Sequence, residues 1–485
     1  MYPEDFYLAG DGPDYAPATT KLIAHCYQFG VDPAFRGGSV YRFNSTVEDK
    51  HGLHWIAEPG CVILNGSTNT PALRLGDVDN LTSRGSIDGS ITFASAADVV
   101  GEEGQCGLHV INTALNYFGR LVVVDYVPYK RLHRGIIFEN VSVFSFTPDV
   151  QGCIGDGVTL LNTIDAHAWA GRSDANGGAG FKIMASQGSH LAGLACYKNL
   201  YGFHWAANPA GINKNCFLVS LVGDTSGSDD MLIEDLSDTE LVACWGCSQS
   251  DTTKNTAAVG WRLRGSLVRG IKFIGGFANN NNGDGMVVEV ETDSAKPTYG
   301  APFNIVMDQM DFGTTANYPN GNGQSGNGWG LRLSAGLAPG AVTQSAGTFA
   351  GNASGKVINA SGPEALISTD WTSSFVPVIS ATSGSVTSSS ATCEYRRDGD
   401  LVHVTTTISI TTNGTGSGDL LATLPVLAAA TGYHVFVGRE AAISGKMLSG
   451  FVGPDGQTLF IRDYANGYPG VDGAVIVVNG WYRSA

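Results

Sequence analysis

The chain has 485 residues, 43% of them hydrophobic and only 15% charged, with 65 glycines and a formal net charge of −16. The acidic balance argues against a nucleic-acid binder, which needs a basic surface, and no apolar run reaches the ~18 residues of a membrane-spanning helix. Little charge with abundant Gly, Ser, Thr and Asn suits many short strands and turns around a large core.

The first residues, Met1-Tyr-Pro-Glu-Asp, are acidic and lack the apolar stretch of a secretory leader. Residues 19–29, TTKLIAHCYQF, place Leu22, Ile23, Cys26 and Tyr27 on one helical face, with Thr19 or Thr20 as a cap and Gly30 as a stop. A short amphipathic helix there would cover the open end of a stack of strands. The nine cysteines are expected to be reduced core thiols. Cys244-Trp-Gly-Cys247 has zinc-like spacing, but no second Cys/His pair stands at a matching interval, so neither metal nor cofactor is expected.

The middle of the chain repeats a glycine followed by apolar-x-apolar. It occurs at Gly157-Val-Thr-Leu, Gly180-Phe-Lys-Ile, Gly202-Phe-His-Trp, Gly260-Trp-Arg-Leu, Gly285-Met-Val-Val and Gly330-Leu-Arg-Leu, with Asp230-Met-Leu-Ile filling the one gap. The steps are 23, 22, 28, 30, 25 and 45 residues. A second alternating segment precedes each copy, as in Ile164-Asp-Ala-His-Ala-Trp, Leu194-Ala-Cys-Tyr and Trp245-Gly-Cys-Ser. Each unit therefore reads as strand, variable turn, glycine, strand. Strands at this period, with no room for helices between them, predict a right-handed parallel β-helix. Stacked coils align like residues, so the asparagines of FANNNNGDG, 277–285, are expected at a corner where amides bond one another.

Residues 337–370 are rich in Gly, Ala, Ser and Thr and hold the last coils and a linker. Beyond them Val402, Val404, Thr406, Ile408 and Ile410 alternate, TNGTGSGD at 412–419 signals a turn, and short strands come after it. This predicts an antiparallel β-sandwich. The expected division is a capping segment over 1–40, a β-helix over 41–362 and a sandwich over 363–485.

Three features together resemble bacteriophage tailspikes of the pectate-lyase-like type. They are the entry Asp5-Phe6, Ala9-Gly10-Asp11-Gly12 and Gly37-Gly38-Ser-Val-Tyr41; the glycine repeat; and the C-terminal stretch with WTSSFVPVIS, YRRDGDLVHVTTTISIT and GTGSGDLLATLPV. The resemblance implies a homotrimer and a virion-tail protein made in the host cytoplasm and acting outside it. It also implies binding, commonly with cleavage, of a bacterial surface polysaccharide: capsule, exopolysaccharide or O-antigen. The entry motif starts almost at residue 1, so attachment to the tail, or to another spike protein, is expected through this N-terminus, with any larger anchoring domain trimmed or carried by another protein. Trimerisation is also expected from Phe144 and Phe146, read as apolar outer-face residues.

Glycoside hydrolysis needs two carboxyl groups, one as acid and one as base or nucleophile. Asp156, Asp229 and Asp284 each stand next to a strand-opening position, which suggests turn capping. Asp224 and Asp251 fall inside turns on successive coils and are the preferred catalytic pair, with Asp174 the third candidate. Trp169, Arg172, Tyr197, Lys198, Lys254 and Asn281 are the candidate substrate-binding residues: rings to stack on sugars, cations for acidic groups, an amide for hydroxyls. A lyase would need a base and a uronate-neutralising cation, for which His167 with Arg172 is the local combination. A non-cleaving adhesin and a purely structural tail trimer are the other readings. The acidic net charge favours a neutral or modestly charged glycan.

Overall fold

The computed structural model describes residues 1–125, 129–247, 258–313, 327–349, 351–361, 365–368, 373–398, 400–429 and 434–485. Ala16–Phe29 is the one α-helix among them. It starts earlier than a threonine cap would have it. Tyr15 holds the N-cap position, Pro17 sits in the first turn where its missing N–H costs nothing, and the Thr19 and Thr20 hydroxyls donate back to the Tyr15 and Ala16 carbonyls at 2.8 and 2.9 Å. Gly30 stops the helix in the left-handed conformation, φ 65°. Leu22, Ile23 and Cys26 join the core of Phe35, Tyr41 and Phe43. Tyr27 does not. It stays exposed and stacks on His51, ring centroids 3.9 Å apart.

Between residues 34 and 368 the described residues contribute 29 strands linked by parallel pairings, the staircase of a parallel β-helix. The glycine repeat is its first face. Val158 pairs with Phe181, Phe181 with Phe203, Phe203 with Met231, Met231 with Trp261, Trp261 with Met286 and Met286 with Leu331, so each sequence copy lies in register with the next. All seven side chains are fully buried, each contributing about 1.5–3 kcal/mol of apolar transfer.

Between Val158 and Cys247 each coil has three strands where the sequence pattern suggested two. Val158–Leu161, Ile164–Trp169 and Arg172–Asp174 form one coil, and Ala179–Met184, His190–Ala192 and Ala195–Tyr197 the next. The corner between second and third faces turns through one or two residues at positive φ, such as Ala170 (47°), Ser220 (51°) and Ala243 (51°). Its turn residues vary, from Ala170 and Ser220 to Gly193 and Gly275-Gly276, so no recurrent signal marks it and the pattern merges two short strands. Phe144 and Phe146 point into this interior, at 2% and 1% exposure, and do not form an outer face. The outward apolar residues of the second face instead include Trp169 and Phe217, with half-buried Val219, Val242 and Ile274.

The corner between third and first faces carries the amide ladder. The Asn176 amide donates to Asn199 Oδ1 at 2.8 Å, Asn281 to Asn327 Oδ1 at 3.0 Å, and Asn327 to Asn352 Oδ1 at 3.0 Å. The repeat glycines adjoin this ladder. A Cβ on Gly180 would lie 2.6 Å from Cys196 Sγ and 2.8 Å from both Asn199 Nδ2 and Gly202 O. Gly180→Ala is therefore expected to cost about 1–3 kcal/mol of stability by overpacking. Gly10→Ala, with nothing within 4 Å, serves as the neutral control in chemical denaturation.

The capping aspartates obey one rule. Asp156 accepts the Ala179 N–H at 2.8 Å, Asp229 the Val259 N–H at 3.1 Å and Asp284 the Trp329 N–H at 2.8 Å. Each also pairs with a base on the next coil: Lys182, Arg262 and Arg332 respectively.

Among the described residues, nine antiparallel strands lie between Ser373 and Arg483. Leu401–Thr412 and Ser417–Thr423 are separated by four strands in this sheet, yet Val404 and Leu420 share one core. The sheet thus folds over on itself as a sandwich. All nine cysteines are buried, and none is in a disulfide.

Candidate active site

The third face presents alternate residues to solvent. Ser173, Cys196 and Gly223 point inward, while Asp174, Tyr197 and Asp224 point outward. Pairing places Asp174 opposite Tyr197, and Tyr197 opposite Asp224. The two carboxylates therefore stand in one column, two coils apart, with a tyrosine between them. At the ~4.8 Å strand spacing this separates their backbones by about 10 Å. A parallel column beside it runs Asp149, Arg172, Ala195, Val222 and Trp245.

Local electrostatics divide the pair. Burial pushes the Asp224 carboxyl up to about 6, only partly opposed by the Thr225 N–H. Its Oδ1 is buried with no hydrogen-bond partner among the described residues. Burial also raises Asp174, but the Tyr197 N–H, at 3.2 Å from Oδ1, and Arg172, at 3.7 Å from Oδ2, both oppose it. Both carboxyls thus lie above the usual carboxylate range, but only Asp174 has a nearby guanidinium favouring its anion, so Asp224 keeps its proton to the higher pH, a difference an acid/base pair can use. The Tyr197 phenol is pushed up by burial and by both aspartates, away from ionisation.

Other charged clusters lack this character. On the first face Glu234 is half-buried, and His204 at 2.9 Å and Arg264 outweigh burial and bring it down to about 2. Asp235 also rises to about 6 through burial, yet it is fully enclosed, with Oδ2 accepting the Asn213 N–H, and meets no solvent.

No protein family and no curated protein matches the chain by sequence. Solved structures do match in shape. The Azotobacter vinelandii mannuronan C-5 epimerase AlgE4 A-module aligns over 74% of this chain and 97% of its own, at 15% identity and a TM-score of 0.53. The chain shares its fold. Tailspikes recur among the similar structures. The Dettilon tailspike protein aligns over 100% of this chain and 94% of its own at 12% identity, TM-score 0.49. The tailspike of E. coli bacteriophage HK620, solved with a pentasaccharide, aligns over 100% and 94% at 10% identity, TM-score 0.37.

On this shared β-helix the predicted site residues separate. Asp174, Arg172, Tyr197 and Asp224 come together on the third face. Lys198 turns the adjoining corner at φ 58°, exposed, where its charge favours ionised Asp174. Trp169 lies across the corner on the second face, 46% exposed, near His167, which stacks on His190 at 4.9 Å. Asn281 has no accessible surface. Its amide belongs to the corner ladder, so it does not reach a sugar. Asp251 and Lys254 lie outside the described residues. Sequence reasoning passed over Trp245, 42% exposed one coil below Asp224's strand. The signal was available: Gly246 after it leaves the ring as the outward member of a short strand.

Proposed function

We propose that the chain is the polysaccharide-cleaving spike of a phage tail, an endo-acting glycoside hydrolase that binds a bacterial surface polysaccharide along the third face. The in-register column Asp174–Tyr197–Asp224, with one carboxyl protonated to about pH 6, carries this reading. Asp224 protonates the glycosidic oxygen as it leaves. Asp174 draws a proton from the attacking water on the other side. A separation of about 10 Å leaves room for that water and matches inversion better than retention. Tyr197 and Trp245 supply ring faces to the sugars, and Arg172 and Lys198 supply donors to their polar groups. The β-helix fold shared with a mannuronan epimerase, and recurring in tailspikes, supports a polysaccharide as the substrate class. A raised Tyr197 phenol weighs against elimination, which needs an ionised base near neutral pH.

Incubation with surface polysaccharides from candidate hosts tests the proposal. New reducing ends, with no unsaturated-uronate absorbance, are the expected result. The absorbance would mean a lyase, and binding with neither product would mean an adhesin. Because the acid must carry its proton, kcat is expected to fall as pH rises through about 6, read from a rate profile between about pH 4 and about pH 8. The outward apolar strip of Trp169, Phe217, Val219, Val242 and Ile274 supports burial between subunits of a homotrimer, placed on the virion through the N-terminus. Sedimentation velocity is expected to give a trimer, and a monomer would overturn that assignment.

A further inference from the structure

One coil above Asp174 the corner between second and third faces opens into a cleft of about 370 Å³, lined by Arg120, Pro148, Asp149, Gly171, Arg172 and Gly193, among others. Two guanidiniums meet there over one carboxylate. Arg120 donates through Nη2 to Asp149 Oδ2, and Arg172 through Nε to Oδ1 at 2.8 Å. Asp149 is largely buried, at 15% side-chain exposure, whereas Arg120 and Arg172 are 60% and 55% exposed. The carboxylate thus works as a fixed post. It orders both arginines while most of their N–H donors still face the cleft and solvent. A pair of forks held at one rim in a chain of net charge −16 is a local exception to the acidic surface.

We infer that this cleft is a subsite for an anionic sugar residue, one bearing a carboxylate or phosphate that Arg120 and Arg172 bind together. The inference rests on the third-face reading of the glycan path. Guanidinium forks match the two oxygens of a carboxylate or the face of a phosphate, and they stay charged at every working pH. Small residues, Ala170, Gly171 and Gly193, leave the floor of the cleft clear for a pyranose ring. Arg172 also lies 3.7 Å from Asp174, so a sugar anchored here sets its neighbour over the Asp174–Tyr197–Asp224 column. The subsite thereby selects a polysaccharide with an acidic residue next to the bond that is cut.

Saturation-transfer NMR on the full chain tests this with methyl glucuronide, glucose 6-phosphate and methyl glucoside as probes. The wild type is expected to transfer saturation to at least one anionic probe and far less to the glucoside. The signal should fall at least several-fold in Arg120→Gln and on raising salt from about 0.05 M to about 0.5 M, where charge contacts at an exposed site are screened. Response to the glucuronide alone assigns a uronate, and to the phosphate alone a phosphorylated sugar. Equal signals from all three probes, or an undiminished anion signal in Arg120→Gln, would overturn the subsite. Asp224→Asn separates the two readings. It should retain the anion signal while losing cleavage, so a variant that still cleaves sinks the catalytic assignment and leaves the subsite standing.

Discussion

Asp224→Asn is expected to abolish polysaccharide cleavage and, at neutral pH, to make the protein more stable. The first effect comes from removing the proton donor. General-acid assistance contributes about 10²- to 10⁴-fold, so kcat should fall by at least about a hundredfold in a reducing-end assay. The second comes from the burial that tunes the group. Its folded-state value of about 6 lies above the ~3.9 of an unfolded aspartate. The native state therefore holds the proton more tightly than the unfolded chain. Stability from this group is fully present below about pH 4, and it is lost as pH rises through about 6. The amide carries no charge to desolvate, so the variant's melting temperature should exceed wild type at pH 7–8, with the gap closing toward pH 4. Asp174→Asn should also lose cleavage, with a smaller stability gain because Arg172 and the Tyr197 N–H favour its ionised form. A cleaving Asp224→Asn, or one less stable than wild type at pH 8, would mean that this carboxyl has no part in the chemistry.

The trade between stability and chemistry also explains what the sequence revealed. The β-helix was legible because its constraint is local and repeated. A glycine is needed wherever the corner amides and the next coil's carbonyl approach, as at Gly180 and Gly285, so the glycine itself reports the register. The aspartates at 156, 229 and 284 were legible as caps for the same reason: they recur one residue before a strand opening. The third strand of the coils between Val158 and Cys247 was not legible. Three residues such as Arg172–Asp174 or Val222–Asp224 give too few alternations to show a period, and their corners use Ala or Ser at positive φ. In the sequence Asp224 consequently reads as a turn residue, whereas it ends a strand. Its alignment with Asp174 through Tyr197 spans intervals of 23 and 27 residues, which no fixed repeat links. The burial that lifts Asp224 comes from neighbouring coils and has no counterpart in spacing. Asn281 failed in the opposite direction. The row of amides before Gly283 reads as a corner ladder, as the structure has it, yet a sugar contact for Asn281 does not follow, because its place in the stack removes it from water.

That ladder is where the largest loss of stability is expected. Asn327 Nδ2 donates to the Ala278 carbonyl at 2.7 Å, the Phe312 carbonyl at 2.9 Å and Asn352 Oδ1 at 3.0 Å. Its Oδ1 accepts both the N–H and the side-chain amide of Asn281 at 3.0 Å. The residue is fully buried, so no water replaces these bonds within the intact coil. Asn327→Ala strands several polar groups at about 1–3 kcal/mol each, and the unfolding free energy should fall by at least about 3 kcal/mol in equilibrium denaturation. Asn327→Asp makes the sharper comparison because it keeps the shape. A carboxylate still accepts from Asn281, but it cannot donate to the two carbonyls, and it adds a buried charge among hydrogen-bond partners that, in the described residues, are neutral amides and carbonyls. It should therefore destabilise at least as much as alanine above about pH 6 and recover partly at lower pH as it protonates. Asn352→Ala, half-buried at the last bond of the ladder, should cost about 1 kcal/mol. If aspartate at 327 were tolerated at neutral pH, the coils would owe their register to packed volume alone, and the asparagines of FANNNNGDG would have no role in holding the corner.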